Sequence, residues 1–317
     1  MTTYGGNIIL LRYVLLFNNQ LPYRHDDAYG WVELPQYQIG GKFRDLSWTG
    51  YTLNMTSQRW LTDADFSESS NSKSLWWHYL VVIVPSNVQW NRNASLWITG
   101  GSVTDGSPSA DSEDIIVSAA LAMSSGVVTG ALFGVRFNYL SQIYIINSFV
   151  VVFYVTHLKV PNEHITFAAD PIQKSRTEDA IIAYTWDHFL NDPSQPEWLV
   201  RFPMVKASLR AMDAMKEFCV KSFPEKNLEL DYFAVAGASK RGWTTWLVGA
   251  VDPARVTLIV PIVLDAINFT AFAHHQFQSY NGFSFALVDY TDMHLMSRLD
   301  DPNMLLLSQN EDPYYFR

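Results

Sequence analysis

The 317-residue chain is 48% hydrophobic and only 17% charged, proportions that exclude a disordered, collagenous or coiled-coil protein. Its net charge of −9, with no Lys/Arg-rich run, argues against a nucleic-acid partner, because no basic surplus exists to neutralise phosphates. The length suits one large α/β domain or two ordinary ones, and the 15% aromatic content points to bulky core packing.

Residues 1–24 form no clear element. The apolar stretch 8–17 is split by Arg12, lacks a basic leading region and shows no small-residue cleavage site. From residue 25 to 317 the chain reads as one domain. Residues 76–85 predict a buried strand closed by Pro85, and 95–102 a second strand running into the turn at Gly100-Gly101. Apolar residues at helical spacing over 111–125 predict a helix, followed by a strand at 126–133. Strand, helix, strand at these lengths is the mark of a parallel sheet with crossover helices. Helices follow at 177–190 and 202–222, the second with Met204, Leu209, Met212, Met215 and Phe218 on one apolar face. A strand at 232–236, a helix at 240–250 and a strand at 256–264 continue the alternation. The expected class is α/β, a mostly parallel sheet with helices on both faces.

Residues 136–159 break the pattern. No charged residue lies between Arg136 and Lys159, and 143–155 is strongly apolar. Ser141, Gln142, Asn147 and Ser148 interrupt it, and a span there would separate the strands on either side of a membrane, which argues against a membrane helix. Removing the segment joins Gly134-Val135 smoothly to Val160-Pro161-Asn162. The preferred reading is an anomalous apolar insert left by an unspliced intervening sequence; a buried strand or helical insertion is the alternative.

The chemistry centres on Gly237-Ala238-Ser239-Lys240-Arg241-Gly242-Trp243, which follows a short apolar strand and opens a helix. In that context a serine reads as a nucleophile elbow, its hydroxyl lifted from the carboxyl edge of the sheet on a strained turn. The Lys240 amide and a Gly100 or Gly101 amide are candidates for the oxyanion hole. The competing reading is a serine that merely caps its helix. Lys240 and Arg241 are either ligands for an anionic substrate group or, the preferred reading, a solvated helix start or a structural ion pair. A hydrolase also needs an acid and a histidine after the serine. Asp265, at the end of the next strand, is the candidate acid, with helix capping as its alternative; His274, His275, Asp289, Asp292 and His294 follow without persuasive placement. Only one strand is evident after the elbow helix, so the domain is expected to be incomplete at its C-terminus.

Cys219 is the sole cysteine, which rules out an intrachain disulfide and a cysteine-built zinc site. The histidines lack metal-ligand spacing, so neither metal nor cofactor is expected. Asn54, Asn93 and Asn268 each begin an Asn-X-Ser/Thr sequon, which favours secretion and glycosylation at these positions.

Several of these phrases, taken in order, carry a likeness: the sequence resembles the PhoPQ-activated pathogenicity-related protein family, which includes autocrine proliferation repressors. The resemblance rests on residues 75–80, 96–102, 178–186 and 201–207, and above all on Ser239-Lys240-Arg241-Gly242-Trp243. It implies an α/β-hydrolase-like fold, export from the cell and a nucleophile at Ser239. It also implies an acid and histidine in a region beyond Arg317, for which this chain has no match. Two functions are therefore expected. The first is a secreted serine hydrolase acting on ester or peptide bonds of a small-molecule or peptide substrate. The alternative is a non-catalytic secreted signalling protein that meets a cell-surface receptor through a hydrolase scaffold.

Overall fold

A computed structural model describes residues 26–100, 107–134, 145–146, 149–150, 163–264 and 266–316. The strands of its main sheet are β1 (Gly30–Glu33), β2 (Ile39–Phe43), β3 (Leu46–Arg59), β4 (Leu75–Pro85), β5 (Asn93–Ile98), β6 (Val128–Phe133), β9 (Tyr232–Ala238) and β10 (Val256–Ile262). These eight run in the order β1-β3-β4-β6-β5-β9-β10, with β2 pairing on β3. A separate two-stranded ribbon joins β7 (Ile145–Ile146) to β8 (Phe149–Val150). The helices are α1 (Glu113–Ser125), α2 (Glu178–Asn191), α3 (Arg201–Ser222), α4 (Lys240–Val251), α5 (Phe269–Tyr280), α6 (Val288–Asp292) and α7 (Pro302–Glu311).

The α/β class matches the expectation, and the sheet is more mixed than expected. Parallel pairing is confined to β6-β5-β9-β10, whereas β1, β2 and β4 pair antiparallel with β3, and β4 pairs antiparallel with β6. The physical reason lies in the connections. Crossover helices α1 and α4 link the parallel neighbours β5 to β6 and β9 to β10, while the first four strands follow one another without an α-helix between them.

Period-two alternation sorts the sheet into two buried faces. Leu80 and Val82 of β4 face a core shared with Leu96, Leu132, Phe233 and the α3 residues Met204, Leu209, Met212, Met215 and Phe218. Val81 and Ile83 point the other way, to Ile115, Ala119 and Ala122 of α1. Helices thus cover both faces. Gly130 lets α3 approach closely: a Cβ there would stand 2.4 Å from Met215 Sδ. Cys219 is buried in this core, and burial pushes its thiol up to about 12. Among the described residues, no helix is long and apolar enough to cross a membrane. The insert at 136–159 lies outside the described residues except for the backbone of β7 and β8, and residues 1–24 lie outside them altogether.

The parallel strands β5 and β9 are neighbours whose carboxyl ends open side by side. From β5 the chain leaves to α1 on one face, and from β9 it turns into α4, which joins the core on the other face. Such a divergence leaves a crevice at the strand ends.

Candidate active site

Ser239 occupies that crevice. Its φ of 57° and ψ of −122° lie in a region that a side chain rarely adopts, between the last residue of β9 and the first of α4. The turn is held by the surrounding backbone: the Ser239 N–H donates to the Ile262 carbonyl at 2.9 Å, and the Trp243 N–H donates to the Ser239 carbonyl at 3.0 Å. The Ser239 side chain makes no capping bond to α4 and is exposed. The helix-cap reading therefore fails.

Small residues flank the turn for a measurable reason. A Cβ on Gly237 would stand 2.8 Å from both the Cβ and the carbonyl oxygen of Arg241. One on Gly242 would stand 2.8 Å from the Ile262 carbonyl oxygen. The second glycine thus sits one position later than in the usual Gly-X-Ser-X-Gly pattern, because Gly242 is the residue pressed against β10.

A cavity of about 630 Å³ opens over Ser239. Its walls are the β5 end (Trp97 to Gly100), the α1 start (Glu113, Asp114 and Val117), the α2 start (Thr177 to Asp179), the elbow itself and Asp289 of α6. The β5 end is braced by Asp114, which accepts from Trp97 Nε1 at 2.8 Å and from Thr99 Oγ1 at 2.6 Å. Gly100 lines the cavity and its amide donates to Thr99 Oγ1. Lys240 begins α4, so its amide belongs to the first turn, where helix N–H groups lack intrahelical acceptors. Gly101 and Asp265 lie outside the described residues.

The two basic residues beside the serine are engaged in ion pairs. Lys240 Nζ lies 3.2 Å from Glu178 Oε2 and 2.5 Å from Asp179 Oδ2, and Arg241 Nη2 lies 2.8 Å from Glu178 Oε1. Burial acts to raise the Glu178 pKa, yet Arg241 and Lys240 outweigh it and hold the carboxylate below the usual glutamate value. Tyr290 completes the cluster by donating to Asp179 at 2.9 Å. The first turn of the elbow helix is thus clamped to the first turn of α2. This is the structural reading of the two cations, and no sequence signal connects residues so far apart.

Behind the elbow lies a second cluster that sequence reasoning missed. Arg201 is wholly buried, its guanidinium carbon 3.9 Å from the Trp243 ring centroid and its Nη1 donating to the Lys240 carbonyl at 3.0 Å. Glu311, also wholly buried, accepts from Trp186 Nε1 at 2.6 Å. Burial pushes the Glu311 carboxyl up to about 7, against the opposing pull of Arg201 and the Trp186 N–H.

Among the described residues no histidine lines the cavity. His274 pairs at the surface with Asp300 at 3.0 Å, His275 and His294 are exposed, and His188 stacks on Trp198 at 3.8 Å. His78 is buried in β4, its Nε2 3.0 Å from Ser57 Oγ, and burial pushes its ring down to about 3. Asp289 does reach the cavity, where it faces Lys174 at 3.5 Å, while Asp292 is exposed at the end of α6. No group of metal-ligating side chains occurs among the described residues. Of the sequon asparagines, Asn54 and Asn93 are exposed and Asn268 is half-buried at the start of α5.

Comparison with known proteins places these features. The profile of the PhoPQ-activated pathogenicity-related protein family matches residues 32–144 and 141–317, with its break inside the apolar insert. The chain belongs to this family. As a PhoPQ-activated pathogenicity-related protein it is 34% identical over 294 residues to autocrine proliferation repressor protein A of Dictyostelium discoideum. That alignment takes in 92% of this chain and 50% of the relative, so the chain spans about half the length of the curated relative it matches. Among solved structures, acetyl xylan esterase 1 from Thermoanaerobacterium sp. is similar with a TM-score of 0.46 at 10% identity, over 97% of this chain and 74% of that one. Glucuronoyl esterase from Solibacter usitatus is similar with a TM-score of 0.36 at 11% identity, over 97% and 79%.

Proposed function

We propose that this family member is a secreted serine hydrolase acting on ester or related acyl bonds, with Ser239 as nucleophile. One observation carries the reading: Ser239 holds a strained backbone conformation at a strand-to-helix turn, with its hydroxyl exposed into a cavity rather than used as a helix cap. In the reaction the Ser239 Oγ forms a bond to the acyl carbon, its proton passes to a base, and the carbonyl electrons move onto oxygen. The Lys240 amide at the helix start supplies a donor to that oxyanion, whereas the Gly100 amide at the neighbouring strand end is taken up by Thr99 Oγ1. Collapse expels the alcohol, or the amine of a peptide, with a proton, and water then releases the acid. Secretion is supported by the exposed sequons at Asn54 and Asn93.

A serine-reactive fluorophosphonate probe tests this. Labelling is expected on Ser239 and abolished by Ser239→Ala; a folded protein that takes up no probe sinks the reading.

The second reading is a non-catalytic secreted signalling protein. It is favoured by the name of the Dictyostelium relative, a proliferation repressor, and by the lack of a histidine lining the cavity among the described residues. It predicts that the growth response of a receptor-bearing cell is unchanged by Ser239→Ala.

A further inference from the structure

Among the described residues, the most unusual buried group is Arg201. Moving a guanidinium out of water is costly unless a carboxylate or several hydrogen bonds compensate. Here its hydrogen bonds go to neutral acceptors, the Lys240 carbonyl at 3.0 Å and the Met204 sulfur at 3.6 Å, while Nε and Nη2 make no hydrogen bond to a described residue. The Trp243 face below it offsets part of the cost, since a cation over an indole is attracted by the ring quadrupole. Glu311 is the nearest counter-charge in effect, yet its Oε2 is committed to Trp186 and neither oxygen takes a hydrogen bond from the Arg201 guanidinium.

Both the Lys240 and Trp243 contacts of Arg201 fall on the elbow helix. Lys240 follows Ser239 directly, and Trp243 lies one turn on, with its N–H bonded to the Ser239 carbonyl. With Ser239 read as a hydrolase nucleophile, we infer that Arg201 is a positioning residue for it: Arg201 holds the Lys240 carbonyl and keeps a positive charge, hydrogen-bonded to no carboxylate, against the first turn of the elbow helix. A fixed positive charge in a dry site favours negative charge developing nearby, and its field reaches further than a neutral hydrogen bond. Guanidinium suits the position because it stays protonated when buried and stacks flat on the indole. The charged and titratable groups facing this point are Arg201 from α3, Glu311 from α7, Asp179 from α2, Tyr290 from α6 and Arg241 from α4.

The test is the rate of fluorophosphonate labelling at Ser239 in the full chain, read beside the melting temperature of each variant. Arg201→Gln keeps a donor for the Lys240 carbonyl and removes the charge, so labelling should slow by at least about 30-fold. Arg201→Lys, whose buried ammonium sheds its proton more readily than a guanidinium, should label between the wild type and Arg201→Gln and approach the wild type as pH falls. Glu311→Gln removes the opposing charge and should speed labelling about threefold or more at about pH 8.5, with the difference vanishing at about pH 5.5, where Glu311 is protonated. A purely structural role would slow labelling in the two Arg201 variants in step with their melting temperatures and, because the wild type is already folded, leave the Glu311→Gln rate unchanged. Wild-type rates in folded Arg201→Gln overturn the inference. If that variant does not fold, an unchanged or slower rate in Glu311→Gln at the higher pH overturns it. Absence of wild-type labelling overturns the hydrolase reading and this inference together, whereas wild-type labelling with unresponsive variants overturns this one alone.

Discussion

Trp243 donates its indole N–H to the backbone carbonyl of Glu311 at 2.5 Å, tying the elbow helix to a residue 68 positions further along the chain. The same indole lies edge-on to Phe269 and Trp186, with ring centroids 4.9 Å and 5.9 Å away. The start of α4 is therefore braced from below by α2, α5 and α7 together.

Trp243→Phe removes the N–H, leaves the buried Glu311 carbonyl without its partner and opens space beneath Arg201. A loss of about 2–3 kcal/mol is expected, from the unpaired acceptor plus the cavity. Urea unfolding measures it. A loss under about 0.5 kcal/mol would show that the brace carries no weight.

Glu311 titrates in the opposite sense to an ordinary paired acid. Its folded pKa is raised to about 7 from 4.5, so its contribution to stability is full below about pH 4.5 and is lost as pH rises through 7. At 1.36 kcal/mol per unit the loss approaches about 3 kcal/mol. Glu311→Gln should abolish this slope, and melting temperatures of the two proteins from pH 5 to 8 should diverge, the variant gaining at the alkaline end. Parallel curves would refute the assignment.

His78 gives the contrary slope. Burial lowers its pKa from 6.5 to about 3, so the neutral ring stabilises the fold above about pH 6.5 and that stability is lost as pH falls toward 3. His78→Gln, which keeps a neutral partner for Ser57, should flatten the acid limb of the stability curve. Denaturant midpoints at pH 7, 5 and 4 decide the matter; an acid limb as steep as in the wild type would exclude His78 as its source.

Gly237→Ala is expected to cost about 1–3 kcal/mol, because the new methyl meets backbone as well as side chain of Arg241 and α4 must shift. Labelling of Ser239 should fall with it. Gly282, where a Cβ would meet nothing within 4 Å, is the matched control, and alanine there should be neutral to slightly stabilising. Equal costs at the two sites would contradict the packing argument.

The elements most legible in the sequence were those whose burial writes a period. β4 shows it as an apolar run broken only by His78, and α3 as a Met and Leu face whose predicted span of 202–222 lies within one residue of the observed Arg201–Ser222. β3 was not legible. Its 14 residues carry threonine, serine, asparagine and glycine on a strand that pairs on both edges, so pairing rather than apolar content makes it a strand. The elbow was readable because its constraints are local: a strand, three small residues and a helix. The clamp of Lys240 and Arg241 on Glu178 and Asp179 and the Arg201 cluster were not, since each joins segments distant in sequence through tertiary packing alone.

The backbone at Ser239 has a consequence for how this position changes over time. Glycine would enter that φ, ψ region without strain and could relieve about 1 kcal/mol or more, at the sole expense of the hydroxyl. Drift under selection for folding alone therefore runs toward glycine at this site. In a lineage that had turned the scaffold wholly to signalling, nothing would oppose that drift, so glycine at this position is the change that would mark such a lineage.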